Sequence, residues 1–120
     1  SAISDGLSNT LALGEFVQID QESGTYTTPP GNVRAWILGA TSDSSKGTYA
    51  MKAVVQPLNA RLDRTADRVA FNHLPQGSFH SGGANFAAAD GSVHFLSDSL
   101  SFDLYRQLMT VNGGEPVSIP

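Results

Sequence analysis

Apolar residues run along the chain in short stretches, separated by turn residues, and the spacing within each stretch predicts its element. Residues 10–17 (TLALGEFV) follow the turn dipeptide Asp5-Gly6 and read as a strand. Its alternate residues Leu11, Leu13 and Val17 would line one face, with Gly14 as the place for a bulge. Residues 20–32 read as a loop, because Pro29-Pro30-Gly31 does not fit a central strand. Residues 33–40 (VRAWILGA) predict a second strand, residues 41–48 a polar loop, and residues 49–55 a further short strand. After Pro57, Asn59 is a candidate helix cap. Leu62, Ala66, Val69 and Ala70 recur at helical spacing, with the intervening Arg and Asp residues on a solvated face. Residues 101–110 (SFDLYRQLMT) are the clearest helix: Ser101 is a good N-cap, Asp103 sits where the helix dipole favours an acid, and Leu104, Tyr105, Leu108 and Met109 make an apolar stripe. The run NGGEP (112–116) ends it.

Between these elements lies SFHSGGANFAAADGSVHFLSDSL (78–100), which carries two of the three histidines. With Asp90-Gly91 as a two-residue type I′ loop, Phe86 faces Phe95, Ala87 faces His94 and Ala88 faces Val93. One face is then wholly apolar (Phe86, Ala88, Val93, Phe95). The other holds Asn85, Ala87, Ser92 and His94, joined by Leu96. Several strands and one or two helices in this order predict a single α+β domain over residues 1–120: a small antiparallel sheet with a C-terminal β-hairpin and one or two short helices.

Composition narrows the chemistry. The 120 residues allow one core, burying roughly two thirds of the unfolded surface. The net charge is −4, and Arg34, Lys46, Lys52, Arg61, Arg64, Arg68 and Arg106 are scattered, which counts against a nucleic-acid partner. The absence of cysteine excludes thiol nucleophiles, zinc–cysteine sites and disulfides. No apolar run approaches the ~20 residues of a spanning helix, and the opening SAISDG reads as the middle of a longer chain.

The histidines invite three readings. A metal-dependent hydrolase would need His80, His94 and Asp90 to converge, but their spacing matches no zinc motif. There is no G-x-S-x-G elbow, and the GGAN stretch lacks a P-loop lysine. The sequence therefore predicts no enzyme and no catalytic residue. A calcium ion would suit oxygens of Asp98, Ser99, Asp103 and nearby carbonyls, although capping and helix-dipole chemistry accounts for these acids better; no cofactor is expected. A binding module for a solute or polysaccharide would use exposed aromatics, for which Trp36, Tyr26 and Tyr49 are the candidates.

The spacing from His80 through nine residues to Asp90-Gly91 resembles the H-X9-DG signature of the bacterial DUF1559 family, abundant in planctomycetes. DGLSNTLALGE (5–15) is similar to that family's DGTSNT…GE segment, FAAADGSVHFLSDSL (86–100) to its ADGSV.F.SDS stretch, and NGGEPVS (112–118) to its closing NGGE motif. The resemblance implies a pilin-head-like fold and a non-enzymatic, extracytoplasmic role. Members are anchored by an N-terminal hydrophobic helix behind a prepilin-type signal, as in type IV pilins and type II secretion pseudopilins. It implies pilin-like subunits or secretion-system proteins as partners, with the membrane reached only through that helix. The family is also labelled a solute-binding group, which is the second reading. The motif residues take structural roles. Asp90 and Gly91 set the turn, and Gly82 and Gly83 let the chain bend into it. His80 holds the preceding loop against the sheet, and Asp5, Asn9 and Thr10 fix the turn before the first strand. Gly113, Gly114 and Glu115 close the last helix, with Glu115 pairing with an arginine.

Overall fold

The computed structural model describes residues 2–17, 52–62, 69 and 73–120. A 3-10 turn over Leu7–Asn9 leads into β1 (Leu11–Gly14); β2 (Gly83–Ala88), β3 (Val93–Ser97) and helix α1 (Phe102–Gln107) follow. The strands form one antiparallel sheet in the order β1-β2-β3, so the architecture is the small α+β arrangement expected from the sequence.

The first strand is shorter than the pattern predicts, and its bulge lies elsewhere. Leu11 pairs with Ala88 but Leu13 with Ala87, so the register slips at Ala12 rather than at Gly14. The extra residue turns Leu13 onto the opposite face from Leu11. Leu11 is buried, while Leu13 is 65% exposed. Gly14 instead serves packing, because a Cβ there would run into the Phe86 ring.

The hairpin register also differs from the expected one. Ala87 pairs with Val93, Phe86 with His94, Asn85 with Phe95 and Ala84 with Leu96. The loop therefore has three residues, Ala89-Asp90-Gly91. The Gly91 N–H donates to Ala88 O (3.0 Å) and the Ala88 N–H to Ser92 O (2.9 Å). A type I′ loop needs positive φ at both central residues. Here Gly91 alone has it (φ 88), and Asp90 stays on the ordinary side. A turn followed by a left-handed glycine makes the strands one residue out of step with the two-residue loop, and every β3 side chain changes face. Leu96 goes inward (1% exposed), whereas Val93 (70%) and Phe95 (52%) go outward.

On the inner face Leu11, Ala84, Phe86 and Leu96 pack with Leu58, Tyr105 and Leu108; Val54, Leu100, Phe102, Leu104, Met109, Val117 and Ile119 surround them. Phe86 and Tyr105 meet edge to face, with centroids 5.9 Å apart. The Tyr105 hydroxyl, whose ionisation burial pushes upward, donates to Gln76 Oε1. Helix α1 follows its sequence signals. Ser101 Oγ accepts from the Leu104 N–H (3.3 Å), Asp103 lies in the first turn, and Tyr105 and Leu108 are the buried residues of the stripe.

Two further expectations change. Asn59 does not cap a helix: it sits in a left-handed turn (φ 57), and its Oδ1 accepts the Ser78 N–H (2.9 Å). Residues 52–55 form no strand, although Val54 packs on the core. The strand predicted over residues 33–40 lies outside the described residues, as does most of the helical stripe near residue 66.

Candidate functional site

Three polar clusters hold most of the motif residues. The first closes the hairpin. Asp90 Oδ1 accepts from the Ser92 N–H (2.9 Å) and the Ser92 hydroxyl (2.6 Å), and His94 Nε2 lies 2.8 Å from the same hydroxyl oxygen. The Ser92 hydroxyl, its backbone N–H and Ser8 hold the Asp90 carboxyl down at about 2. Ser92 has one hydroxyl proton. With that proton given to ionised Asp90, His94 is the donor to the serine oxygen. That polarity is the reverse of a histidine activating a serine nucleophile.

The second cluster joins the two ends of the described chain. Asp5 Oδ2 accepts the Gly113 N–H (2.7 Å) and Oδ1 the Gly114 N–H (3.0 Å), while Thr110 Oγ1 lies 3.1 Å from Oδ2. Successive backbone N–H groups form a concavity for an anion, and the left-handed Gly114 (φ 75) is part of it. The Gly113 N–H first, then that of Gly114, lowers the Asp5 pKa. Beside it Ser4 Oγ donates to Asn112 Oδ1 (2.5 Å), and the Ser4 N–H to Val111 O (2.9 Å). Asp5 was expected to fix the turn next to it; its partners instead lie more than a hundred residues away. The local turn is held by the Asn9 N–H and Thr10 Oγ1, each 3.1 Å from Gly6 O. Among the described residues Glu115 accepts from Thr110 Oγ1 (3.3 Å) instead of pairing with an arginine.

The third cluster lies on the outer face of the sheet. Glu15, just past β1, receives the Asn85 backbone N–H (2.7 Å) and carboxamide (3.3 Å) on Oε2; His80 Nε2 is 3.4 Å from Oε1. The Asn85 backbone N–H is the main cause of the lowered Glu15 pKa, with the Asn85 amide and the His80 ring adding to it. The His80 ring also meets Phe95 edge on (6.5 Å, 74°), and its backbone N–H donates to Ser78 Oγ (3.0 Å). Ser78 Oγ in turn donates to Gly83 O (2.6 Å). The His80 ring thus meets the sheet at Glu15, a carboxylate outside the set of motif residues singled out in the sequence. Phe95 leans across Gly83, where a Cβ would strike its ring, and Gly82 makes the turn before β2.

The arrangement keeps the two histidines apart, His80 with Glu15 and Phe95 on the outer face and His94 with Asp90 and Ser92 at the hairpin. Among the described residues no three His, Cys, Asp or Glu side chains gather as a metal site. The triplet His80, His94 and Asp90 is therefore not assembled. Of the two acids weighed for calcium, Asp98 Oδ2 accepts from Asn59 Nδ2 (3.3 Å), and Asp103 lies in the first turn of α1. Trp36, Tyr26 and Tyr49 lie outside the described residues.

Against these positions the whole-chain comparison is decisive: the model of a protein family of unknown function, DUF1559, matches residues 1–103. The chain belongs to the DUF1559 family. Searches of curated proteins and of solved structures return no match. The matched span of this DUF1559 chain takes in Asp5, Glu15, His80 and Asp90, while the NGGE turn that receives Asp5 lies beyond it. No helix among the described residues is long and apolar enough to cross a membrane.

Proposed function

We propose that this DUF1559 chain is the extracytoplasmic head of a membrane-anchored pilin- or pseudopilin-like protein, with a structural or assembly role and no catalysis of its own. The observation that carries the reading is how its polar motif residues are used. Asp5 grips the NGG turn, Glu15 grips β2 and His80, and Asp90 grips the hairpin loop. Each carboxylate is occupied by donors of the fold itself, and they lie in separate clusters instead of converging on one reacting centre. A domain built this way presents a rigid surface to neighbouring subunits or secretion-system proteins.

The test is the mature N-terminus of the full-length protein made in its native host. The expected result is a chain cut behind a short basic leader, methylated on its new first residue, and continuing into an apolar helix. Removal of an ordinary secretory signal, with no apolar helix retained, would overturn the proposal.

A further inference from the structure

The outer face of the sheet is unusual for a surface that meets only water. Leu13, Ala87 and Val93 form one cross-strand row, and Glu15, Asn85 and Phe95 the next, with His80 against Phe95. Leaving Val93 (70% exposed) and Phe95 (52%) on this side forgoes part of the about 1.5–3 kcal/mol that full burial of each would contribute. The hairpin nonetheless adopts the register that exposes them. Phe95 is also braced, by Gly83 beside its ring and by His80, whose ring stands nearly perpendicular to it at 6.5 Å.

From this juxtaposition we infer that the outer face binds a neutral polysaccharide, with Phe95 as the stacking platform and Glu15, Asn85 and His80 as its hydrogen-bonding rim. The inference is independent of the pilin-like reading. The π face of an aromatic ring is electron-rich and attracts the C–H face of a pyranose, whose equatorial hydroxyls then point sideways to polar groups. Those groups are in place. A carboxylate has about four acceptor sites. Asn85 takes two of those on Glu15 and His80 approaches a third. A primary amide has donor and acceptor capacity beyond the single bond Asn85 makes to Glu15. Small residues at Gly83 and Ala87 leave room for an extended glycan chain lying across the sheet.

Charge decides the class of glycan. The carboxylate stands on the rim of the platform and the chain carries a net −4, so an acidic polysaccharide is repelled and a neutral one is not. The same carboxylate argues against a second copy of this chain stacking its sheet here. An apolar partner would strip water from the Glu15–His80 pair without replacing its hydrogen bonds, whereas sugar hydroxyls replace them.

The experiment is retention of the purified protein on microcrystalline cellulose and on chitin. It is paired with electrophoretic retardation in gels containing hydroxyethyl cellulose or, separately, alginate. The expected result is binding to at least one neutral glycan and none to alginate. Phe95→Leu should weaken binding at least tenfold with an unchanged melting curve, and Phe95→Tyr should retain it. Phe95→Tyr keeps the test interpretable if the leucine variant folds poorly. Failure to bind any of these neutral glycans, binding to alginate alone, or equal binding by wild type and Phe95→Leu overturns the inference. So does concentration-dependent dimerisation in sedimentation that Phe95→Leu abolishes while no glycan is retained, which would assign the face to a second copy. None of these outcomes bears on N-terminal processing, so the two readings stand or fall separately.

Discussion

Asp5, Glu15 and Asp90 share one physical device: a carboxylate at a chain reversal or strand end, filled by backbone N–H groups and nearby hydroxyl or amide donors. Each pKa lies below its ordinary value, that of Asp90 at about 2, because the donors favour the ionised form. A depressed folded-state pKa contributes stability that is fully present above the unfolded-state value and disappears as pH falls through the folded one. Urea unfolding followed by circular dichroism should therefore give a midpoint that is level between about pH 7 and 5 and falls between about pH 4 and 2. The double variant Asp5→Asn, Asp90→Asn should show a shallower fall. An equally steep fall in that variant would mean that these carboxylates do not hold the fold. The turn-forming character of Asp90-Gly91 was legible from the dipeptide, but the donors that fill Asp90 depend on where Ser92 and Ser8 come to lie.

At the scale of elements, the hairpin shows how a correct element can carry an inverted face. Both β2 and β3 follow from the alternation around Asp90-Gly91. The loop length did not, because one left-handed residue instead of two adds a residue to the loop. Leu96, assigned by alternation to the polar side, becomes the buried member, and Phe95 becomes the exposed one. The two registers predict opposite mutational orders. Leu96→Ala should cost about 2–5 kcal/mol, and Val93→Ala less than about 0.5 kcal/mol, read from urea unfolding at neutral pH. The reverse order would restore the two-residue loop. Helix α1 needed no such correction, since its cap, its dipole-matched acid and its stripe are all local signals. In β1, by contrast, the slip at Ala12 depends on pairing with β2, which no property of residues 10–17 records.

For the whole molecule, the main event is closure of the first described residues onto the last. Ser4 and Asp5 bond to residues 111–114, the Leu11 N–H donates to Leu108 O (2.8 Å), and Val117 and Ile119 pack beside the core. Deleting residues 111–120 should destabilise the domain by roughly 2–4 kcal/mol, from the loss of two partly buried aliphatic side chains. Hydrogen exchange should show faster exchange at the Ser4 amide and around Asp5, while β2 and β3 stay the more protected elements. Unchanged exchange near Asp5 would show that the closure does not hold that segment. The sequence by itself determined the class of fold, the hairpin, the helix and the family, because these rest on local periodicity, turn chemistry and motif spacing. Tertiary structure alone decided which hairpin face is inside, that Asp5 grips a distant glycine pair, and that Glu15, Asn85, His80 and Phe95 share one surface. Those outcomes depend on register and on contacts between residues far apart in the chain, which no short stretch of sequence encodes.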